Sequence, residues 1–353
     1  MNALALSALL TAGSVGADPA YQQPPAQGYQ ALPISGYADA GALPAAGYPG
    51  TTTAAPTTGP GYAAPGYTAP AGAVPALCDE CTKPVRRLFQ SDHEFDDFVG
   101  PVSNPILNKD PRSNSHARLL FINNNVPGGH PLDGNIQAYA LQMNLAVTER
   151  LSIIADKDGL AHISPRNGPS TTGFLNLAAG LKYTFYRDVE NQTLAAFGFL
   201  YEIPSGEAKV QQNQGSGSFA PFVTYGKEFG NKWHYLQTTG YYFPLKSSQG
   251  SSYIWNSFHV DKQLFGWFYP LAELNWFWYT SGGNRLPPVF GEGDGLLNLG
   301  TRGQAGAHLV TAALGAKAVL TNKYTVGFAL EFPLTSRNDI INQRLTVELI
   351  GRY

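Results

Sequence analysis

Cysteine, charged residues and long apolar runs are scarce in this chain of 353 residues. The two cysteines, Cys78 and Cys81, exclude a disulfide-dense scaffold. No apolar run of about eighteen residues occurs in the body of the chain, which excludes membrane-spanning helices. Charged residues make up only 14% of the chain, and a formal net charge of −2 offers no basic stripe to a nucleic acid. The seven histidines show no metal-ligand spacing, so we expect neither a metal site nor a cofactor.

The first 76 residues carry targeting and linker patterns. Residues 1–17 contain a short apolar stretch that ends in small residues, which indicates a secretory signal peptide. Residues 18–76 are rich in Pro, Ala, Gly and Thr with repeated Gly-Tyr steps, a composition that cannot bury enough apolar surface to fold. We interpret them as a disordered linker, which is either an extended periplasmic tether or a Tyr-bearing arm that touches peptidoglycan or a partner. The Cys78-x-x-Cys81 pair favours a local disulfide or two plain thiols over a zinc site.

Residues 77–116 form a periplasmic segment ahead of the strands. Ser91 and Glu94 have the spacing of a capping box, which predicts a short helix over 92–99. Pro101, Pro105 and Pro111 then exclude helix and sheet until residue 117. This segment either packs under the mouth of the following domain or enters it as a plug.

Residues 117–353 alternate apolar and small or polar side chains with period two, which indicates strands. In the last strand, Leu345, Val347 and Leu349 lie on one side and Arg344, Thr346 and Glu348 on the other. Pattern and turn signals predict twelve strands: 117–123, 135–147, 151–158, 174–187, 193–203, 218–228, 232–243, 252–262, 265–279, 308–320, 323–332 and 342–353.

Tight turns and long loops alternate between these strands. In an outer membrane barrel the tight turns face the periplasm, and an even strand number leaves both termini on that side. The outward set of the ninth strand runs from Phe268 to Trp278 and is aromatic at both ends, as the two membrane interfaces require. We assign Tyr183, Phe185 and Trp233 to the turn-side girdle, and Tyr201, Tyr253 and Phe332 to the loop-side girdle. The sequence therefore predicts an all-β fold, a twelve-stranded antiparallel transmembrane β-barrel with a disordered N-terminal arm, and disfavours a soluble sandwich.

These residues resemble those of bacterial outer membrane β-barrels, whose last strand ends in an aromatic residue that the barrel assembly machinery recognises, here Tyr353. Residues 180–185, 201–206 and 219–222 resemble motifs of the phenol meta-pathway outer membrane transporters, over a match that spans about 137–353. The stretches 98–101 and 109–113 resemble those of uncharacterised planctomycete barrels. The resemblance implies passive transport and an outer membrane location, and it names no substrate.

Inward positions carry the candidate lumen residues. A barrel of this size has a narrow lumen, so we predict a pore or transporter for passive passage of small solutes, and the long loop 280–307 is the candidate gate. The alternatives are an ion-pair lattice in a non-conducting anchor between outer membrane and cell wall, and a membrane-embedded lipid hydrolase using His308 and Ser281. The lumen candidates are Lys182, Glu202, Glu273, Asn275, Lys317, Glu331, Arg344, Glu348 and Arg352, and the gate candidates are Arg285, Glu292, Asp294 and Arg302.

Overall fold

The computed structural model describes residues 87–213 and 215–353. The predicted signal peptide, the linker with its Gly-Tyr repeats, and Cys78 and Cys81 lie outside the described residues.

A single antiparallel sheet closes on itself, because the first strand, His116–Val126, pairs with the second, Gly134–Ala146, on one edge and with the last, Gln343–Arg352, on the other. The chain segments Leu151–Lys157 and Leu160–Pro165 together make one barrel strand, as do Thr171–Phe174 and Leu177–Asp188. The prediction of a closed twelve-stranded barrel is therefore confirmed. The strands are β1 His116–Val126, β2 Gly134–Ala146, β3 Leu151–Lys157, β4 Leu160–Pro165, β5 Thr171–Phe174, β6 Leu177–Asp188, β7 Thr193–Ile203, β8 Ser218–Phe229, β9 Trp233–Pro244, β10 Ser252–Lys262, β11 Phe268–Ser281, β12 His308–Val319, β13 Tyr324–Pro333 and β14 Gln343–Arg352.

The third and fourth barrel strands extend further towards the long loops than the sequence predicts. The ladder is interrupted at Asp158 and Gly159, where the Asp158 side chain accepts the amide of Leu141 at 2.9 Å in place of a backbone carbonyl. Gly159 has φ +109°, and a Cβ there would lie 2.0 Å from the carbonyl oxygen of Tyr139. Asp158 and Gly159 are typical turn residues, so the sequence pattern predicts the end of the strand there. In the structure the strand continues as β4, which pairs with β2 and β5.

The two faces of the sheet are the reverse of those in a soluble protein. Large apolar side chains such as Leu314 (60% exposed) and Phe328 (51%) cover the outside, whereas charged Lys317 (1%) and Glu348 (2%) are buried inside. An exposed apolar belt suits a lipid environment, and this arrangement excludes the soluble sandwich. The prediction that Tyr253 belongs to the loop-side girdle is wrong. Tyr253 faces the lumen, at 3% exposure, because it lies two residues from the inward-facing Trp255, and its ring stacks on that of Tyr242 with centroids 4.9 Å apart.

Short connections and both ends of the strand series lie on one side, which we call the turn side; the longer connections lie on the loop side. His116 at the start of β1 is paired with Arg352 at the end of β14. Within the described ranges, no helix has the length and apolar character needed to cross a membrane.

Candidate functional site

Residues 87–115, which we call the plug, begin at the turn-side mouth and then enter the lumen, where most of their side chains are buried. On the turn side the plug is tied to the barrel by Asp92, whose carboxylate binds Arg187 at 2.7 Å, and by the Ser91 hydroxyl, which donates to the Tyr353 carbonyl at 2.9 Å. The chain then rises to Leu107, whose carbonyl accepts the indole N–H of Trp255 at 3.1 Å. It descends again to the turn side before β1 begins. Of the two sequence alternatives for this segment, the structure has the chain inside the barrel.

The predicted helix over 92–99 is wrong in extent. A single 3₁₀ turn, His93–Phe95, is present, and its N-cap is Asp92, which accepts the Glu94 amide. Ser91 does not cap this turn, because its hydroxyl is already engaged with the carbonyl of Tyr353 and the amide of Ser115. A long-range contact has displaced the local capping box.

Wall side chains satisfy the plug's backbone where proline prevents regular structure. The carbonyl of Pro101 accepts from Arg118 at 3.0 Å and that of Pro105 accepts from Gln142 at 2.9 Å. The carbonyl of Pro111 accepts from Thr184 at 2.8 Å. Since a buried backbone carbonyl without a partner is costly, these wall side chains account for how an irregular segment is tolerated inside a barrel. The plug is held largely by side-chain-to-backbone hydrogen bonds.

Glu273 on β11 holds the centre of the plug. Its two oxygens accept the amides of Val102 at 2.8 Å and Ser103 at 2.6 Å. The same carboxylate binds His259 Nδ1 at 2.6 Å, while His259 Nε2 faces Asp261 at 2.9 Å. Both ring nitrogens face carboxylate oxygens, so the arrangement is complete only when the ring carries both protons. Asp261, His259 and Glu273 thus form a buried row of charged side chains on the wall, and Glu273 is the one that contacts the plug. We call these three side chains the clamp.

The sequence reasoning missed two clamp members. His259 and Asp261 alternate with Ser257 on the inward face of β10, and all three are buried. The period-two pattern contained this signal. Histidines considered only for metal spacing were overlooked as partners of carboxylates.

The predicted lumen residues are buried with the exception of Arg352, which is half-buried at the turn end of β14. Lys182 donates to the plug carbonyl of Arg112 at 2.7 Å, and Asn275 donates to Ser103 at 3.0 Å. Glu273, Lys182 and Asn275 therefore contact the plug directly. The roles of all these residues in permeation stay predictions.

Four other lumen candidates form ion pairs. Glu348 forms ion pairs with Lys317 at 2.5 Å and with Arg118. Glu331 pairs with Arg344 at 3.3 Å. Buried pairs of this kind brace the wall, and removal of one partner strands the other charge.

Glu202 belongs to a separate group near the loop side. It binds Lys157 at 2.7 Å, Asn176 at 2.7 Å and the Tyr242 hydroxyl at 3.0 Å. Within the described part of the chain Glu202 forms no hydrogen bond or ion pair with the plug, so this group makes a useful control.

The candidate gate loop folds into the loop-side mouth. Leu296, Leu297 and Phe290 are buried, and a Cβ at Gly295 would lie 2.8 Å from Leu107 of the plug. The loop therefore meets the plug tip, unlike a loop that lies on the surface. Whether it gates the lumen stays a prediction.

The gate candidates differ in position. Arg285 donates to Gln211 at 2.9 Å, and Arg302 is exposed. Glu292 accepts from the Ser251 hydroxyl at 2.5 Å, and Asp294 accepts from the Tyr279 hydroxyl at 3.1 Å. Of the four gate candidates, Glu292 and Asp294 are the two that are buried in the mouth.

Burial controls the ionisation of these two carboxyl groups. It raises the pKa of Glu292 to about 7, although hydrogen bonds from Ser251 and from two backbone amides act in the opposite direction. Burial also raises the pKa of Asp294 well above its usual range, and the nearby Asp339 carboxylate adds to the effect. The mouth therefore contains carboxyl groups that hold protons more readily than exposed ones.

The residues of the hydrolase alternative are not assembled. His308 lies on the outer face between Trp276 and Trp278, with ring centroids 5.9 Å from each. Its Nδ1 accepts the Trp276 indole N–H at 3.1 Å, so that nitrogen is not directed at Ser281. Across the described residues, no group of three or more His, Cys, Asp and Glu side chains has the arrangement of a metal site.

Fold and lumen together define a membrane-type β-barrel with an internal plug. No protein-family model matches this chain, and no curated protein matches it either. The structure is similar to the COG4313 outer membrane channel from Pseudomonas putida F1, at 14% identity and TM-score 0.51, over 72% of this chain and 100% of that chain. It is also similar to the KdgM porin in complex with disordered oligogalacturonate, at 10% identity and TM-score 0.41, over 67% of this chain and 99% of that chain. The first likeness shows the barrel fold that the strand pairing already establishes.

Proposed function

We propose that this protein is an outer membrane channel for passive passage of small polar solutes, and that the plug must shift for a solute to pass. The observation that carries the proposal is the attachment of the plug through hydrogen bonds to wall side chains, at Glu273, Arg118, Gln142 and Thr184. Each such hydrogen bond contributes only about 0.5 to 3 kcal/mol net, because water or a solute can replace either partner.

The outer membrane location is part of the same proposal. The exposed apolar belt supports a location in a lipid bilayer, and the structural likeness to an outer membrane channel supports the outer membrane as that bilayer. Tyr353 at the end of the chain is proposed as the assembly signal. It is exposed, and its amide donates to the Ser115 carbonyl at 3.0 Å.

We also propose the finer affiliation, to the phenol meta-pathway transporters, on the strength of the motifs at 180–185, 201–206 and 219–222. A channel of that kind is passive. A substrate is not part of this proposal.

A reversible cross-link between plug and wall tests the proposed motion. Asn104 Nδ2 of the plug lies 3.1 Å from Ser257 Oγ of the wall, so cysteines at these two positions would face each other across the boundary between plug and wall, and mass spectrometry verifies that the disulfide has formed. In a background with Cys78 and Cys81 replaced by serine, the Asn104→Cys, Ser257→Cys protein is reconstituted in a planar bilayer. We expect single-channel openings under reducing conditions and their loss on oxidation, with both single-cysteine proteins unaffected.

Each contrary result has a distinct meaning. Openings that persist after verified cross-linking would contradict a path that requires plug motion. Silence of the correctly folded wild type under all conditions would contradict the channel and favour the non-conducting anchor.

A further inference from the structure

A cavity of about 60 Å³ lies between the plug and the wall, in the half of the lumen nearer the turns. On one side it is lined by the plug residues Asn108, Lys109 and Arg112. On the other side the wall contributes Arg118 of β1 and Arg352 of β14, among others. A volume of this size accommodates a few water-sized groups.

The charge around this cavity is unbalanced. Six basic side chains line it, against the carboxylates of Asp110 and Asp156, with Glu348 directly behind Arg118. With histidine counted as neutral, the excess is three positive charges. The basic lining residues are Lys109, Arg112, Arg118, Lys182, Lys317 and Arg352.

Ion pairs account for only part of this charge. Lys109 pairs with Asp156 at 2.6 Å and Arg112 with Asp110 at 2.5 Å, while Arg118 and Lys317 share Glu348. Within the described chain, no carboxylate lies within ion-pair distance of Lys182 or Arg352. Lys182 instead donates to plug carbonyls.

Burial makes the excess costly. A buried charge without a counter-charge is strongly disfavoured in proteins. Burial lowers the pKa of Lys109 even though Asp156 acts to raise it, and the Arg118 charge adds to the lowering. A negative group in this cavity would relieve that repulsion.

Unpartnered hydrogen-bond donors line the same cavity. Asn108 Nδ2, Arg118 Nε and Thr325 Oγ1 have no hydrogen-bond partner among the described residues. All three side chains are more than nine-tenths buried. Buried donors in proteins are nearly always satisfied, so three of them around one cationic cavity indicate a ligand that accepts hydrogen bonds. The acceptors Asn108 Oδ1 and Asn144 Oδ1 of the same lining also lack a partner among the described residues, which suits a hydroxyl of the ligand or a water beside it.

We propose that this cavity binds a small oxyanion, of the phosphate or carboxylate class, which ties the plug to the wall. Cationic side chains supply the charge, and the donors on Asn108, Arg118 and Thr325 supply direction. The half-buried Arg352 places the entrance on the turn side. The site does not require conduction, so it stands or falls separately from the proposed channel.

The test measures stability of the full chain, refolded in detergent, as a function of inorganic phosphate. The readout is the temperature at which heat-modifiable gel migration changes, at constant ionic strength balanced with sodium chloride. Hydrogen exchange of the plug peptide 99–110 is followed in the same samples. We expect a saturable rise of the midpoint with phosphate, accompanied by slower exchange of the plug, because a ligand of the folded state stabilises it.

Matched variants locate the effect. Arg352→Gln removes a cation that has no carboxylate partner, and we expect it to weaken the apparent phosphate affinity by about tenfold. Lys227→Gln, at a turn-side position outside the cavity, is the control and should retain the wild-type response. Acetate in place of phosphate distinguishes a carboxylate preference from a phosphate preference.

Two results would overturn the proposal. One is a wild-type protein that responds to phosphate and acetate no more than to chloride. The other is an Arg352→Gln protein with the same phosphate dependence as the wild type. A response lost in Arg352→Gln and kept in Lys227→Gln supports the site.

Discussion

Replacement of Glu273 by glutamine should release the centre of the plug. The carboxylate accepts the amides of Val102 and Ser103 and the ring nitrogen of His259, at 2.6 to 2.8 Å. A glutamine side chain retains one acceptor oxygen and places an NH₂ donor against a second donor. At least one of the three bonds is therefore lost, together with the charge that faces the His259 ring.

The size of the effect follows from the burial of the site. Glu273 is 4% exposed, and a hydrogen bond from a backbone amide of the plug to this buried carboxylate is worth about 1.5 to 3 kcal/mol. At about 1.4 kcal/mol per factor of ten, the population with a detached plug centre should rise roughly tenfold to a hundredfold. The strands themselves should retain their pairing, since Glu273 lies on the inward face and its backbone groups are unchanged.

Hydrogen exchange with mass spectrometry measures this population directly. Protection of the peptide 99–110 should fall by that factor in Glu273→Gln, while peptides from β14 keep wild-type protection. Glu202→Gln is the matched control, because that lumen carboxylate binds Lys157, Asn176 and Tyr242. Unchanged plug protection in a correctly folded Glu273→Gln barrel would refute the clamp.

Three further predictions concern the wall, the plug tip and the mouth. Gly327→Ala places a Cβ 2.6 Å from Glu348 Oε1, and this crowding should lower the free energy of unfolding in denaturant by about 1 to 3 kcal/mol. Gly351→Ala is the control and should cost little, because the atom nearest to its Cβ lies 3.8 Å away. Equal losses in the two variants would show that crowding is not the cause. Trp255→Phe removes the donor to the Leu107 carbonyl and should lower the protection of the plug against hydrogen exchange by about 1 to 3 kcal/mol. Trp276→Phe, on the lipid face, is the control and should leave this protection unchanged. Wild-type protection in Trp255→Phe would contradict a stabilising role of this bond. Because burial raises the pKa of Glu292 to about 7 from 4.5, the folded loop keeps a proton that the unfolded loop releases. The stability of the folded loop is therefore greatest below about pH 4.5 and falls by up to about 3 kcal/mol as pH rises through 7. Tryptic cleavage at Arg302 should increase over that pH range in the wild type and not in Glu292→Gln. A wild-type cleavage rate with the same pH profile as Glu292→Gln would contradict this prediction.

Side-chain parity explains why the barrel and its inward residues are accessible from sequence. A strand places alternate residues on opposite faces, so Lys317 and Glu348 could be assigned to the lumen without knowledge of their partner. Tyr253 shows the limit of position within a strand as a guide. An aromatic near a strand end was assigned to the lipid interface, but its parity with Trp255 places it inside.

The plug could not be derived in the same way. Its prolines exclude regular structure and therefore remove the periodicity on which strand and helix prediction depends. Ser91 and Glu94 satisfied a local rule, yet the Ser91 hydroxyl bonds to Tyr353, which is 262 residues away. Nothing local encodes a partner at that distance. For His259 and Asp261 the signal was present in the alternation with Ser257, and only their pairing with Glu273 required the fold.

The bonds of Ser91 and Ser115 to Tyr353 also constrain the order of assembly. The Tyr353 carbonyl accepts the Ser91 hydroxyl, and the Tyr353 amide donates to the Ser115 carbonyl. Ser91 thus completes this contact only when the chain has closed a separation of 262 residues, which carries a large cost in entropy. Seating of the plug and closure of the β1–β14 seam are therefore coupled, because both depend on the few residues at the end of β14.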